Sequence, residues 1–552
     1  MTSATRPPLP PHLRRSAHLS WFAHMGAVYL FHDLFGYLLQ MSADVADMIE
    51  AFGTGGDTMA IMQRFAGRFD DADPREFVDV LHQHAVLVEP ADENEAESIW
   101  PYVPIKGKWN VWRRRADRLT LYTAWGERPV TQIMLDEDET AMWDAFDGEK
   151  RLGELRGKFD EVKLGALVRR LTHSDVQALK LSLMPWSTYA KRPAMAPPYL
   201  ASTMPYPPWQ PGTPVPAPAE LAAYHVGIAN AHAQFDHQET TLSHLFRVPH
   251  PALGGKTYGA RLVDALVDKL PAGPLRVLEV GAGLGYVARD ALARFKELGR
   301  EVQYTIVELS PALADAQQKL LGHKATWMIG DALTAKLDGE FELIISNEMV
   351  GDLPARQLTR ADIGLGPEAG EADRVKLREI SDLAADHVNV DDAPEPFYLQ
   401  TGAFELVAKL AKHLAPGGTM VVTEFGDRAK WPTLSTHLDH PELSTHFGHL
   451  QQVTKGVGLA AEIVFVIDLL DFDREQQGLA TTRSHFRALG SLFADAGLEL
   501  AKLGYTPAML DALVGDKLDL KCVGELRWDK IEDRLMGLVP HEFKALIGTR
   551  AR

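Results

Sequence analysis

Apolar positions after residue 275 follow one rhythm. Short runs of consecutive apolar residues (VLEV, YTIVEL, ATWMI, FELIIS) alternate with stretches whose apolar residues recur every three or four positions. The short runs predict strands buried on both faces, and the longer stretches predict helices that connect them, so the segment reads as βαβ units in a parallel sheet. Before residue 185 the pattern differs. There, β-like runs are followed by clusters of short amphipathic helices, and this happens twice. In the first unit, strands over 20–41 precede a helix capped by Ser42, then TMAIMQRFAGRF and PREFVDVLHQHAVLV; in the second, RLTLYTAW and PVTQIML precede ETAMWDAF, LGELRGKF and KLGALVRRLTH. The repeated spacing predicts an internal duplication. Between the two patterns, residues 185–219 hold 11 of the 34 prolines, with Trp186, Tyr199, Tyr206 and Trp209 interleaved. Such a stretch excludes a helix or central strand and predicts a linker that straps a surface. The expected domains are therefore 1–98 and 99–184 as two small α+β modules, 185–219 as linker, and 220–552 as an α/β domain.

Composition narrows the chemistry. The 552 residues are 46% hydrophobic and carry a formal net charge of −18, which disfavours nonspecific attraction to nucleic acid or anionic membrane. Lys106, Lys108, Arg113, Arg114, Arg115 and Arg118 form one local basic cluster, read as a solvated connector or a nucleic-acid contact, and no candidate recognition helix is strongly basic. The single cysteine, Cys522, excludes an intramolecular disulfide and reads as a buried strand thiol. No apolar run reaches the roughly 20 residues that span a bilayer, and the N-terminal sequence lacks a signal-peptide core, so a cytoplasmic protein is expected. The histidines lack a strong ligand spacing, and no metal site is expected. One histidine of THFGHL could act as a base for a weakly basic acceptor.

The most informative stretch is VLEVGAGLG, residues 277–285. Gly281, Gly283 and Gly285 let the backbone turn sharply from strand to helix and approach a ligand closely. Their spacing is not the G-x-G-x-x-G of dinucleotide sites. Glu279 would repel a pyrophosphate but suits the cationic end of S-adenosyl-L-methionine (SAM). Glu308, at the end of the second strand, is placed to accept both hydroxyls of a ribose. Asp331, after the third strand, stands where an adenine amino group would donate. Asn347 and Glu348 follow the fourth strand, at the edge where doubly wound sheets bind ligands. SAM is thus the expected cofactor.

From here the chain resembles a known family. IVELSPALADAQQKLL (306–321), the string Asn347, Glu348, Met349, Val350, Gly351, Asp352, Leu353, Pro354, the strand GGTMVVTEFGD (417–427) and the terminal HEFKALIGTR are similar to the MidA-type methyltransferases, relatives of the mitochondrial complex I assembly arginine methyltransferase. The likeness covers roughly 240–550. It implies a class I Rossmann-like methyltransferase domain, a protein or peptide substrate with arginine as first acceptor, Glu348 as the leading catalytic carboxylate with Asp352 and Glu424 next, and Asn347 beside them. It also implies that HEFKALIGTR is a helix. The family's aspartate after Asn-Glu falls on Gly351, with Asp352 one place later. The two N-terminal units lie outside this likeness and resemble PqqD-like winged-helix modules, which bind leader peptides. Two other readings stand beside the first. One is a tailoring methyltransferase of a ribosomally made peptide acting on another side chain or a carboxylate; the other is an assembly factor that keeps the fold without turnover. No nucleic acid or membrane partner is expected, and a homodimer is allowed. The long acidic segment 355–400 is expected to be a partly helical substrate cover.

Overall fold

The computed structural model describes all residues except 1–7, 17–18, 25–26, 33–36, 70–71, 90–98, 108, 125–128, 174, 183–184, 186, 188–208, 216–219, 237–240, 367–369, 438–439, 480–482 and 532–542. It divides into two compact units: Met1–Pro218 with Thr481–Leu500 and Asp511–Leu526, and Ala219–Ala480 with Ala501–Leu510 and Arg527–Arg552. The stretch expected as one domain from 220 to the end therefore gives two of its segments to the first unit.

Within the first unit the same element order runs twice. His12–Arg15 is followed by a three-stranded antiparallel meander (Leu19–His24, Ala27–His32, Tyr37–Met41), helices Ala43–Phe52, Thr58–Phe65 and Pro74–Gln83, and a strand Leu87–Val88 that pairs back on His12–Arg15. Val103–Lys106 begins the second copy. A meander follows (Asn110–Arg115, Arg118–Thr123, Thr131–Leu135), then helices Glu137–Ala145 and Glu161–Thr172 with a 3-10 turn between them, and Leu179–Ser182 returns to pair with Val103–Lys106. Each helix start is set locally. Ser42, Asp57, Asp73, Asp136 and Asp160 all accept a backbone N–H of the first turn.

The copies differ in what covers the meander. In the first, Trp209 from the proline-rich stretch packs edge-on against Trp21, ring centroids 6.2 Å apart, and donates its backbone N–H to the Trp21 carbonyl at 3.0 Å. Trp186, Tyr199 and Tyr206 lie outside the described residues. In the second, Val523–Gly524 adds a fourth strand beside Arg113 and Trp112. Gly524 is required there, because a Cβ would sit 1.9 Å from the Trp112 ring. Tyr122 and Gln132 both donate to the Asp495 carboxylate, at 2.9 and 2.7 Å. Of the basic stretch read as a connector or nucleic-acid contact, Arg113, Arg114 and Arg115 lie on one strand of this sheet, Arg118 begins the next, Lys106 ends the strand Val103–Lys106, and Lys108 lies outside the described residues; Arg114 pairs with Asp144, and the Lys106 ammonium lies over the Trp112 and Trp143 rings. Cys522 is not a buried strand thiol. It is half-exposed in a 3-10 turn, where its thiol donates to Asp519.

The second unit is built on one sheet. In chain order its elements are β1 (Leu275–Val280), α1 (Tyr286–Glu297), β2 (Val302–Glu308), α2 (Pro311–Leu321), β3 (Ala325–Ile329), β4 (Phe341–Asn347), α3 (Thr401–Lys412), β5 (Leu414–Asp427), β6 (Ala460–Phe465) and β7 (Phe543–Thr549). The spatial order is β3-β2-β1-β4-β5-β7-β6, with a short strand at Thr445–His446 beside the end of β5. Strands β1 to β5 are parallel, and β7 runs antiparallel between β5 and β6. This is the parallel, doubly wound arrangement of βαβ units expected from the apolar rhythm. Chain direction across the sheet reverses between β1 and β4, and a crevice opens there beyond the strand ends.

One expectation fails in this unit. HEFKALIGTR does not form a helix: Phe543–Thr549 is strand β7, whose residues from Phe543 to Gly548 are all buried. A run of that kind fits a strand covered on both faces and offers no polar helix face. Segment 355–400, expected as a partly helical cover, contains short helices at Arg374–Ile380 and Asp382–His387. Leu358, Ile363, Leu377, Val388, Val390 and Phe397 join the main apolar core.

Candidate functional site

Beyond the ends of β1 and β4 lies a cavity of about 270 Å³, whose wall includes His225, Phe235 and His244, the glycine loop, the end of β2, Gly330–Ala332, Asn347–Met349 and Asp352–Pro354. It places Glu279, Gly281, Gly283, Glu308, Asp331, Asn347, Glu348 and Asp352 around one space. Gly285 and Glu424 are not in its wall.

The glycine loop needs glycine for conformational reasons first. Gly281, Gly283 and Gly285 have φ of 71°, 53° and 82°, a left-handed run that side chains disfavour. Sterics add to this: a Cβ on Gly281 would lie 2.6 Å from Met349, and one on Gly285 would lie 3.2 Å from Gln317.

At the cofactor end, two carboxylates are buried. Glu279 accepts from the Tyr304 hydroxyl at 2.7 Å, and burial pushes its pKa up to about 7. Glu308 accepts the Ser310 backbone N–H at 3.0 Å and the Gln317 amide at 2.8 Å; burial pushes it up to about 7 against those donors. Asp331 turns its loop by accepting the Leu333 N–H at 2.8 Å. The residues fit SAM. A strand-end glycine turn with no side chain toward the ligand, a buried carboxylate for a cationic group and another for hydroxyls occupy three sides of one cavity.

At the other end the fourth strand closes on Asn347. Its Oδ1 accepts from Tyr258 at 2.8 Å and Thr423 at 2.9 Å, and its Nδ2 donates to Ser243 at 3.1 Å. The side chain is fixed by three elements. Glu348 follows with φ of 51°, a left-handed conformation that costs of order 1 kcal/mol in a residue with a side chain. Its backbone N–H is held by the Thr423 carbonyl at 2.9 Å, and its carboxylate accepts the Leu242 N–H at 3.3 Å. Asp352 faces His225, Oδ2 to Nε2 3.8 Å. His244 also lines the wall.

Glu424 lies behind this loop. Its carboxylate accepts the Gly351 N–H at 3.1 Å, and burial, then Glu442, Glu348 and Asp352, drive its pKa well above the usual range. The same contact explains Gly351: a Cβ there would lie 2.7 Å from the Leu443 carbonyl and 3.4 Å from Glu424. An aspartate at 351 does not fit, and the next position carries the carboxylate into the wall. His446 and His449, the THFGHL histidines, do not line the cavity. They stack on each other at 3.5 Å beside Trp431, and burial holds His449 down to about 3, which removes it as a base near neutral pH. Among the described residues no cluster of metal-ligating side chains exists.

Sequence reasoning missed Phe235, His225, His244, Tyr258 and Gln317. The first three precede the glycine loop on segments with no regular rhythm. Gln317 left a signal, a polar residue on the apolar stripe Leu313, Ala314, Leu321.

Comparison with known proteins finds one family model and several similar structures. Residues 260–440 match a family model described as "Putative S-adenosyl-L-methionine-dependent methyltransferase". Among solved structures, similarity is found to a Burkholderia thailandensis protein bound to S-adenosyl-homocysteine, 18% identical over 60% of this chain and 84% of that one, with TM-score 0.33. The glycopeptide N-methyltransferase MtfA with S-adenosyl-homocysteine is 13% identical over 53% and 89%, with TM-score 0.25. A curated relative, the 3-methylorcinaldehyde synthase of Talaromyces stipitatus, is 39% identical over 64 residues, 11% of this chain, and the match spans 2% of that enzyme's length. The order of strands, the glycine turn and the family match together make residues 260–440 the body of a SAM-dependent methyltransferase domain, with S-adenosyl-L-methionine as its cofactor.

Proposed function

We propose that the protein methylates a side-chain nitrogen of a polypeptide, arginine first, and that the duplicated N-terminal modules hold that polypeptide. The observation that carries this is the acceptor end of the cavity, where Glu348 and Asp352 share the wall and Glu424 lies behind it. Carboxylates gathered this closely favour a cation, and a guanidinium is a planar cation that two carboxylates can grip and orient. SAM supplies an electrophilic methyl group. The chain's own task is to align the attacking nitrogen, exclude water and take the proton that the nitrogen loses. Glu348 is the residue for alignment, held by a strained backbone at the strand end. Arg113, Arg115 and Arg118 on the second meander would suit an acidic segment of the bound polypeptide.

A second reading has a specific observation behind it. His225 and His244 stand in the same wall, and imidazoles suit an acceptor less basic than arginine, as in a tailoring enzyme acting on another side chain of a ribosomally made peptide. Incubating the protein with SAM and peptides that differ only in one central residue, followed by intact-mass and fragment analysis, separates the readings. A methyl on arginine supports the first. Methyl on glutamate, aspartate or another residue alone replaces it with the second, and binding of SAM without any methyl transfer would leave an assembly factor.

A further inference from the structure

Three stations of the cofactor site converge on one side chain that contacts neither solvent nor cavity. Gln317, on α2, is fully buried. Its Nε2 donates to the Gly283 carbonyl at 2.7 Å and to Glu308 Oε2 at 2.8 Å, while its Oε1 accepts from the Trp327 indole at 3.1 Å. Both amide hydrogens are thus used, and the oxygen is used too. Rotating the amide by half a turn would set its oxygen against a carbonyl and a carboxylate and its NH₂ against an indole N–H, so only one orientation satisfies the neighbours. Gly285 belongs to the same device. It does not line the cavity, and its missing side chain makes room for the Gln317 stem, 3.2 Å from where a Cβ would be.

We propose that Gln317 is the positioning residue of the cofactor site, fixing the Glu308 carboxylate relative to the glycine loop and the third strand so that its outer face meets the two ribose hydroxyls. This rests on the SAM reading of the cavity. A carboxylate on a flexible side chain would otherwise choose among rotamers on binding and lose affinity in doing so. The amide also favours the ionised form of Glu308, the form that accepts two hydroxyl hydrogens. Glu279 on β1, with Tyr304 bonded to it, and Asp331 after β3 are the other titratable groups at this end. None of them is bonded to Gln317.

The test uses the full chain and S-adenosyl-homocysteine in titration calorimetry. Wild type must bind; absence of binding there refutes the cofactor reading itself, separately from the role of Gln317. Gln317→Leu is expected to weaken binding about tenfold or more, the scale of a hydrogen bond to a charged group. Combined with Glu308→Gln it should add little, because both substitutions break one linkage. In Gln317→Leu the loss of affinity on acidification should also begin at higher pH, since Glu308 loses a donor that favours its charged form. A merely structural role would weaken binding evenly across pH. Unchanged affinity, full additivity with Glu308→Gln, or an unmoved pH midpoint would each overturn the proposal. Should Gln317→Leu fail to fold, Trp327→Phe removes only the third bond, and its expected effect is about threefold; no effect there overturns the proposal equally.

Discussion

The two ends of the cavity handle buried carboxylates in opposite ways. Glu308, at the cofactor end, is surrounded by neutral donors, Ser310 and Gln317, and stands at about 7, able to ionise for a ligand. Glu424, at the acceptor end, accepts the backbone N–H groups of Gly351 and Phe425 but has three other carboxylates near it, Glu442, Glu348 and Asp352, and is driven well above its ordinary range. One end is preorganised for a ligand that is always the same. The other gathers carboxylates whose repulsion is relieved by a retained proton or by a bound cation. Backbone strain follows the same division. The left-handed residues of the cofactor loop are glycines, for which φ above zero is inexpensive, whereas at the acceptor end a glutamate takes that conformation. The cofactor end is therefore a property of the fold, and the acceptor end is a property of a few side chains.

That contrast can be broken by experiment. Gly281→Val should abolish S-adenosyl-homocysteine binding, an effect of about a hundredfold or more, since its Cβ would meet Met349 and its backbone is left-handed; retained affinity in calorimetry would show that the loop does not cradle the ligand. Glu348→Gln is expected to lower turnover about 10²- to 10³-fold while leaving cofactor affinity within about threefold. A variant that loses both equally would erase the distinction between the ends. Acidification through about pH 7 should protonate the cofactor end. Glu279 and Glu308 move from 4.5 to about 7 on folding, so the folded protein holds more protons than the unfolded chain over that range. Stability without cofactor should accordingly fall as pH rises from 4.5 to about 7, while affinity for the cationic cofactor rises; the expected gain is roughly tenfold between pH 6 and 8, seen as opposite slopes in thermal melts with and without SAM. Asp331→Ala is the mildest change, about fivefold in affinity, because that carboxylate already serves its own turn through Leu333.

What could be read from the sequence follows the same line. The glycine turn, Glu308 and Asp331 stand at fixed places relative to strand ends, and a strand end is visible as the close of an apolar run. Gln317 sits on a helix face whose partners come from three other elements, so only its polarity among apolar neighbours hinted at burial. The acceptor end was harder. Asn347 and Glu348 were visible at a strand end, yet His225 comes from an irregular segment, and the reason for Gly351 is a carbonyl at Leu443, which no spacing reveals. Strand β7 was expected as a helix from the family likeness; its apolar run fits an all-buried strand equally well, and its place between β5 and β6 decides the matter. The duplication was legible because both copies repeat turns, caps and apolar rhythm. The closing pairs of first and last strand were not, being contacts distant in sequence.

The fourth strand of the second N-terminal meander gives the molecule an order of birth. The first copy has both its end strands within the first 88 residues, so it can close while most of the chain is still unsynthesised. The second copy presents Tyr122 to Asp495, 373 positions later, and waits further for Val523–Gly524. A ribosome that stops anywhere before residue 523 therefore releases a protein wounded at its beginning as well as at its end. Closure of the second N-terminal copy is in this way tied to chain made about 370 to 410 positions later.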